Sequence, residues 1–251
     1  MLLIRSFLFN VVMFGLMLVM GIILAPLAAW SAAGAFWSVQ TYCRITLRLL
    51  SVMCGLKTEI RGPVPSGDVL ICSKHQSFLD IIILSATLPR AKFIMKKELR
   101  WAPVLGLYAL RMGSTPVHRG KKGKAMQQMV RRAAKNAEEA SQLIIYPQGT
   151  RVAPGAQRPY KIGAGALYER FGNPCIPVAT NAGVFWGRNT VYRRPGLAVI
   201  EFLPEIPSGL PIHDFMERIE TVIETRSDAL MVEAGFMPES AAVPMAGARD
   251  G

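Results

Sequence analysis

Cysteine and histidine are scarce in this sequence, with four cysteines and three histidines among 251 residues. The cysteines at positions 43, 54, 72 and 175 form no CxxC pair, and none has a spacing to histidine that is typical of a metal site. Cys72 and Cys175 lie in short apolar runs, where a buried, reduced thiol is the ordinary state. The cysteine pattern therefore predicts no metal centre and fits a reducing cytoplasm.

Acidic residues are few, since 17 Asp and Glu face 29 Lys and Arg and leave a net charge of +12. The chain is nevertheless 51% hydrophobic, with a mean hydropathy of +0.29. This combination indicates a protein held at an anionic membrane surface. Nucleic acid is the other usual partner of such charge, but the basic runs contain few aromatic residues and no recognised nucleic-acid motif. We therefore expect a membrane-lipid partner and no nucleic acid. A non-catalytic protein that binds anionic lipid stays open at this point.

Charged residues are absent from residues 6–43. Because about 20 apolar residues span a bilayer, this run is nearly long enough for two passes, with 7–24 the stronger segment and 28–42 the weaker. Pro26 interrupts the run between them. Cations on both flanks favour a hairpin that returns to the cytoplasmic side. One spanning helix followed by an interfacial helix, or a cleaved signal peptide, are the alternatives. We assign residues 1–61 to a membrane-anchoring helical segment.

A cluster of Gly and Pro at residues 62–67 marks the start of a second unit, predicted to extend over residues 62–236 and to precede a flexible tail at 237–251. Apolar runs and helical periodicity alternate in it, which predicts an α/β fold with a sheet covered by helices. Predicted strands are 68–73, 91–95, 114–118, 142–146, 175–180 and 196–202. Predicted helices are 78–88, 101–111, 122–140, 162–171 and 211–234.

His75 and Asp80 lie in the turn between the predicted strand 68–73 and the next helix. Ser77 is a suitable N-cap residue, and Asp80 would fall in the first helical turn, where its carboxylate can meet the imidazole. A neutral His oriented by a carboxylate can take a proton from an attacking alcohol. The spacing thus suggests general-base catalysis, although a helix cap beside an ordinary polar turn would have the same sequence.

Cations follow two other predicted strands, and a third loop has the composition of an anion-binding turn. Lys96 ends strand 91–95, and Arg119 follows strand 114–118 with a glycine next to it. The loop 146–151, Tyr-Pro-Gln-Gly-Thr-Arg, offers a glycine for close backbone approach, a hydroxyl and a guanidinium. Solvated basic loops and a Pro-Gly turn are the alternatives. Further along, Pro177 interrupts an apolar strand, which suggests an edge strand or the wall of an acyl site.

Taken together, these four blocks resemble the lysophosphatidic acid acyltransferase family, the 1-acylglycerol-3-phosphate O-acyltransferases among the glycerolipid acyltransferases. The resemblance covers roughly residues 55–205, and the blocks occur in the family's order. The family motifs match here His75 and Asp80; Lys96 and Arg119; Tyr146-Pro147-Gln148-Gly149-Thr150-Arg151; and Ile176-Pro177-Val178.

The resemblance implies a glycerolipid acyltransferase-like fold, with a central mixed sheet behind a membrane-embedded helical segment. It implies transfer of an acyl group from coenzyme A or acyl carrier protein to the sn-2 hydroxyl of 1-acylglycerol 3-phosphate, with no metal or bound cofactor. The enzyme would lie at the cytoplasmic membrane with its active site facing the cytoplasm. His75 would be the base and Asp80 its orienting partner. The phosphate ligands would be Lys96, Arg119, Gly149, Thr150 and Arg151, and the acyl pocket would include Ile176, Pro177 and Val178.

Gln148 departs from the family pattern, which usually has Glu at this position. A hydrogen-bonding role survives the change, whereas a role that needs a carboxylate does not. We expect Gln148 to contact the acceptor, and its identity leaves open another lyso-lipid acceptor, such as a lyso-ornithine lipid.

Overall fold

The computed structural model describes residues 1–117 and 140–237. The helix predicted over 122–140 and the predicted phosphate ligand Arg119 lie outside the described residues, as does nearly all of the tail predicted at 237–251.

Three helices form the N-terminal part: α1 Leu2–Ile23, α2 Ala25–Trp30 and α3 Ala32–Cys54. Pro26 lies in the first turn of α2, so the interruption falls where the sequence predicts it. Ser31 caps α3 by accepting a hydrogen bond from the Gly34 amide at 2.9 Å. Within the described part of the chain, α1 is the one helix whose length and composition would allow it to cross a membrane.

Within residues 1–117 and 140–237, the sheet has seven strands in the order β1-β7-β6-β2-β5-β3-β4. Neighbouring strands run parallel except for β6 and β7, which are antiparallel. The mixed sheet flanked by helices is therefore the predicted fold class. The strands are β1 Leu56–Arg61, β2 Val69–Ser73, β3 Ala91–Lys96, β4 Thr115–Val117, β5 Gln142–Ile145, β6 Cys175–Thr180 and β7 Gly196–Phe202.

Strand β1 corrects the predicted boundary, because it lies within the 1–61 segment and pairs with β7. Its sequence, Leu-Lys-Thr-Glu-Ile-Arg, carries charge at alternate positions, as suits the edge of a sheet. Those charges concealed the strand among the basic residues that follow the apolar run. The sheet therefore begins at Leu56, six residues before the predicted start of the α/β unit.

Helices cover both faces of the sheet. The remaining helices are α4 Leu79–Thr87, a 3-10 turn Lys97–Trp101, α5 Leu105–Arg111, α6 Gly163–Phe171, α7 Ala182–Phe185 and α8 Ile212–Glu233. Residues of α1, α3 and α4 pack on one face with Val69 and Ile71. Residues of α6 and α8 pack on the other face with Leu70 and Cys72. Because successive side chains of β2 point to opposite faces, this strand is buried on both sides.

Helix α1 lies along the α/β unit instead of projecting away from it. Near its start, Arg5 donates to the carbonyl of Met53 at 2.6 Å. Near its end, the Tyr108 hydroxyl donates to the carbonyl of Gly21 at 3.1 Å. Between these points the buried guanidinium of Arg193 donates to Asn10 Oδ1 at 2.7 Å. The helix is therefore fixed to the rest of the molecule along most of its length.

Arg193 is the central attachment point of α1. Its guanidinium lies 3.8 Å from the centre of the Trp186 ring and donates to the carbonyls of Thr190 and Tyr192 at 2.9 and 3.0 Å. Its backbone amide donates to Ser6 Oγ at 2.9 Å. Burial lowers the pKa of Arg193 to about 10, which is the electrostatic cost of placing a cation between helix and domain.

Replacing Arg193 with Met should lower the free energy of unfolding by about 2–4 kcal/mol, because several buried hydrogen bonds and a cation–π contact are lost together. Thermal unfolding in detergent measures the effect. The matched control is Arg194→Met, since Arg194 is the exposed neighbour. Equal losses in the two variants would show that Arg193 does not fix α1.

Candidate active site

The predicted site residues gather at one edge of the sheet. Strands β2, β5, β3 and β6 run parallel, so their carboxyl ends meet at the same edge. His75 follows β2, the 146–151 loop follows β5, and Lys96 is the last residue of β3. The topology thus explains why segments that are distant in sequence share one site.

The Asp80 carboxylate organises the turn after β2. Its Oδ2 atom accepts hydrogen bonds from the amides of Gln76 and Ser77 at 2.7 and 2.8 Å. The same atom lies 3.2 Å from His75 Nδ1. Helix α4 begins at Leu79, whose amide donates to Ser77 Oγ at 3.1 Å. The helix cap is therefore one residue later than predicted, while the predicted pairing of imidazole and carboxylate is present.

The position of Asp80 determines which nitrogen of His75 is basic. A carboxylate beside Nδ1 favours the tautomer protonated there, which leaves the lone pair on Nε2. The side chain of His75 is 10% exposed, and the side chain of Asp80 is fully buried. The pair can therefore act as a base with one accessible nitrogen.

Tyr146 forms one wall of the site. Its ring stacks on the His75 imidazole, with centroids 3.9 Å apart and planes inclined by 18°. Burial, and to a smaller extent the charge of Asp80, raises the pKa of Tyr146 well above its ordinary value. The phenol is therefore neutral, and its hydroxyl has no hydrogen-bond partner among the described residues.

Two arginines lie close together, and one of them, Arg151, interacts with Asp80. Burial, followed by the charge of Arg188, lowers the pKa of Arg151, and the Asp80 carboxylate acts in the opposite direction. Arg188 also donates to the backbone carbonyl of Arg151 at 3.3 Å. Two guanidinium groups held together in this way form a favourable place for an anion.

The side chain of Lys161 lies close to Gly149 of the 146–151 loop. Gly149 has φ +70°, and a Cβ atom there would lie 2.8 Å from Lys161 Nζ. The Lys161 amide donates to the carbonyl of Pro147 at 2.9 Å, which holds the lysine against the loop. A side chain at position 149 is therefore strained by the backbone conformation, and it would also displace the end of the Lys161 side chain. Thr150 beside it is half-buried.

Lys96 lies at the periphery. Its side chain is 52% exposed and pairs with Glu98 at 3.7 Å. Strand β5 separates β3 from β2, so strand spacing places Lys96 roughly 10 Å from the end of β2. The structure therefore brings Arg151, and not Lys96, next to the His75–Asp80 pair.

Gln148 points into the protein. It is 1% exposed, and its Nε2 donates to Glu224 Oε1 at 3.3 Å. Its own Oε1 atom is buried without a partner among the described residues. The predicted acceptor contact at Gln148 thus faces helix α8.

The three residues predicted for an acyl pocket, Ile176, Pro177 and Val178, are buried in the middle of the sheet. Strand β6 lies between β7 and β2, so it is not an edge strand. Pro177 is accommodated because its carbonyl accepts from the Leu203 amide at 2.9 Å, beyond the end of β7. The proline nitrogen points to the same side, where the regular ladder has already ended, so no ladder bond to β2 is lost.

An apolar cavity of about 110 Å³ lies elsewhere, between α1, α3, α4 and α5. Ile81 and Phe78 line it directly beside the turn that carries Asp80, and Met17 and Tyr108 line its far side. None of the residues 176–178 contributes to it. The apolar run at residues 176–178 reflects burial in the sheet, whereas its composition had suggested the wall of an acyl site.

The sequence also left several contributors unnoticed. Arg188 follows a glycine after β6, which is the same signal that identified Arg119. Lys74 precedes His75, and its nearly full burial indicates a role that its position in a polar run concealed. Glu224 had no local signal, because it lies on a helix whose pattern indicates only core packing.

Comparison with known proteins shows which family this chain resembles. A family model described as Acyltransferase matches residues 56–181. A 1-acyl-sn-glycerol-3-phosphate acyltransferase of Pseudomonas aeruginosa is 29% identical over 175 residues, which are 69% of this chain and 68% of that protein. The human 1-acyl-sn-glycerol-3-phosphate acyltransferase alpha is 28% identical over 170 residues, covering 66% of this chain and 60% of its own length.

A solved structure has the same fold. The crystal structure of PlsC, a 1-acyl-sn-glycerophosphate (LPA) acyltransferase from Thermotoga maritima, matches with a TM-score of 0.76 at 15% identity. The match covers 91% of this chain and 95% of that chain. Because the family model matches about half of the chain and includes His75, Asp80 and the 146–151 loop, the protein belongs to the Acyltransferase family.

Proposed function

We propose that this protein transfers a fatty-acyl group from an acyl thioester to the free sn-2 hydroxyl of 1-acylglycerol 3-phosphate, giving phosphatidic acid. The observation that carries the proposal is the 3.2 Å contact between His75 Nδ1 and Asp80 Oδ2, with arginines on one side and an apolar cavity on the other. The names of the curated relatives support the same acceptor.

His75 is the general base in this proposal. Its Nε2 removes the proton from the acceptor hydroxyl while the oxygen attacks the thioester carbonyl. Asp80 stabilises the imidazolium that forms, and the collapse of the tetrahedral intermediate breaks the C–S bond. The thiolate then takes the proton from Nε2, so the imidazole returns to its neutral form. Coenzyme A and acyl carrier protein are equally compatible as the carrier of the thiol, and no metal or cofactor takes part.

Arg151 and Arg188 bind the acceptor's phosphate in this proposal. Burial is the larger cause of the lowered pKa of Arg151, the charge of Arg188 lowers it further, and the Asp80 carboxylate opposes the shift. A phosphate group would offset the repulsion between the two guanidinium groups and accept hydrogen bonds from both. Lys161 next to Gly149 supplies a further cation to the same loop, and Lys96 is too peripheral for more than an accessory role.

The apolar cavity holds the acyl chain of the thioester. Its lining is almost entirely apolar, which suits the acyl chain of a thioester. Ile81 and Phe78 connect it to the turn of His75 and Asp80, so a chain lying in the cavity would present its carbonyl near Nε2. The residues 176–178 then support the site from within the sheet.

We further propose that the protein rests on the cytoplasmic membrane, with α1 lying along the membrane surface and the site open to the cytoplasm. One face of α1 is exposed and apolar, and its other face contacts the α/β unit from Arg5 to Gly21. Trp101 and Leu107 continue this exposed apolar surface on the segment around α5. The Arg100 guanidinium lies 4.5 Å from the Trp101 ring centre, a pairing suited to the headgroup region.

Replacing His75 with Ala should lower kcat/KM for acyl transfer to lysophosphatidic acid by about 10²–10⁴-fold, because the proton acceptor is lost. The assay uses purified protein with acyl-coenzyme A and acyl carrier protein thioesters. His213→Ala is the control, since His213 is 88% exposed beside Asp214 on α8 and lies away from the site. Comparable activity in the His75 variant and the wild type would exclude the base.

Replacing Arg151 or Arg188 with Gln should raise KM for lysophosphatidic acid by about tenfold, because one charge-assisted hydrogen bond to phosphate is lost. The same variants should leave KM for monoacylglycerol, which has no phosphate, unchanged. Arg194→Gln, an exposed arginine elsewhere, controls for net charge. A panel that includes a lyso-ornithine lipid compares other acceptors, and full wild-type activity without a phosphate would contradict this role of the arginines.

Trp101 should lie within reach of lipid chains. In vesicles with brominated acyl chains, we expect Trp101→Phe to remove part of the quenchable tryptophan fluorescence, since the indole is 75% exposed. Trp186→Phe should leave the quenched intensity unchanged, because Trp186 is 4% exposed inside the protein. Unaltered quenching in the Trp101 variant would place the segment around α5 away from the bilayer.

A further inference from the structure

A buried lysine stands directly before the proposed base. Lys74 is 2% exposed, and its ammonium forms an ion pair with Glu224 of helix α8. A buried ammonium group is tolerated only with a counter-charge, so Lys74 depends on Glu224. The backbone amide of Lys74 also donates to the carbonyl of Val178 at 3.0 Å, which ties the residue to β6.

The second oxygen of Glu224 holds two other segments. Oε1 accepts from the Tyr160 hydroxyl at 2.8 Å and from Gln148 Nε2 at 3.3 Å. One carboxylate therefore connects the turn of His75, the loop that carries Tyr146 and Arg151, and the segment that precedes α6. The same two site segments are also joined by the hydrogen bond from the Val152 amide to the His75 carbonyl at 2.8 Å.

We propose that Glu224 is a positioning residue for acyl transfer, which holds Lys74 and Gln148 so that His75 and the phosphate-binding loop keep their relative places. The inference rests on the proposed function. It assigns a role to a helix that lies outside the region matched by the family model, since that region ends at residue 181.

The contacts of Glu224 with Lys74, Tyr160 and Gln148, which we call the Glu224 network, also explain why position 148 is an amide. Glu220 and Asp228 lie one turn before and after Glu224 on α8. Burial raises the pKa of both, the charge of Glu224 raises it further, and Lys74 opposes the rise. The local environment thus already disfavours additional negative charge. A carboxylate at position 148 would face Glu224 across the hydrogen bond that Gln148 now donates, and it would add to the negative charge of Glu220, Glu224 and Asp228.

Exchanging the side chains of Gln148 and Glu224 tests this arrangement. Glu224→Gln removes the carboxylate that pairs directly with the buried Lys74 ammonium and should lower kcat by about tenfold or more. Gln148→Glu places a further carboxylate next to that of Glu224 and should lower kcat by about threefold or more. The double variant restores one carboxylate and one amide, and should recover kcat to within about threefold of the wild type. KM for the thioester should stay constant in all three, because the apolar cavity lies on the opposite face of the sheet.

Glu220→Gln is the matched control, because it removes the same charge one turn away and Glu220 makes none of the hydrogen bonds described for Glu224. Its kcat should stay within about twofold of the wild type. Full kcat in Glu224→Gln, or a double variant no better than the product of the single variants, would overturn the positioning role. If Glu224→Gln does not fold, the double variant decides alone: recovery of fold and activity supports the role, and failure overturns it.

Thermal unfolding of the same four proteins separates this inference from the proposed reaction. A wild type that transfers no acyl group from either thioester contradicts the proposed function whatever the network does. An active wild type whose stability and kcat show no coupling between positions 148 and 224 contradicts the network alone.

Discussion

A single carboxylate oxygen, Oδ2 of Asp80, sets the geometry on which the site depends. It accepts the amides of Gln76 and Ser77 and lies beside His75 Nδ1, so one atom fixes the turn, the start of α4 and the orientation of the imidazole. Because Asp80 is fully buried, water does not compete for these contacts. The carboxylate oxygen that closes the turn is thus also the atom that orients the imidazole proposed as the base.

The surroundings of His75 divide into two chemically different halves. On the side of the loops after β5 and β6 lie Arg151 and Arg188, and on the side of the helices lies the apolar cavity. The two substrates need this division, because the acceptor's phosphate and the acyl chain of the thioester require different environments. Their reacting groups, the hydroxyl and the carbonyl, must nevertheless meet at the same nitrogen. The carboxyl edge of a parallel sheet provides it, because loops gather on that edge while helices cover the faces. The fold therefore separates a polar side of the site from an apolar side.

The local parts of this arrangement could be predicted from the sequence. The five-residue spacing of His75 and Asp80 lies within one turn, and the predicted strands 175–180 and 196–202 have the observed bounds. Contacts between distant segments could not be predicted, and Lys74 with Glu224 is the clearest case, being 150 residues apart. The prediction of an acyl site at residues 176–178, which the structure buries inside the sheet, has the same origin. An apolar run such as 176–178 indicates burial, but only the order of the strands shows whether it faces a ligand or the interior of a sheet.

Helix α1 links these points, because it has an exposed apolar face and also forms a wall of the cavity. Met17 and Gly21 line the cavity from one face of the helix, while residues such as Phe14 and Leu18 are exposed on the other. Gly21 is required there, since a Cβ atom would lie 2.4 Å from a methyl group of Val104. A helix that served only as an anchor would need length and hydrophobicity but no such fit. The close packing therefore shows that a helix apolar enough to enter a membrane is also a fitted part of the cavity wall.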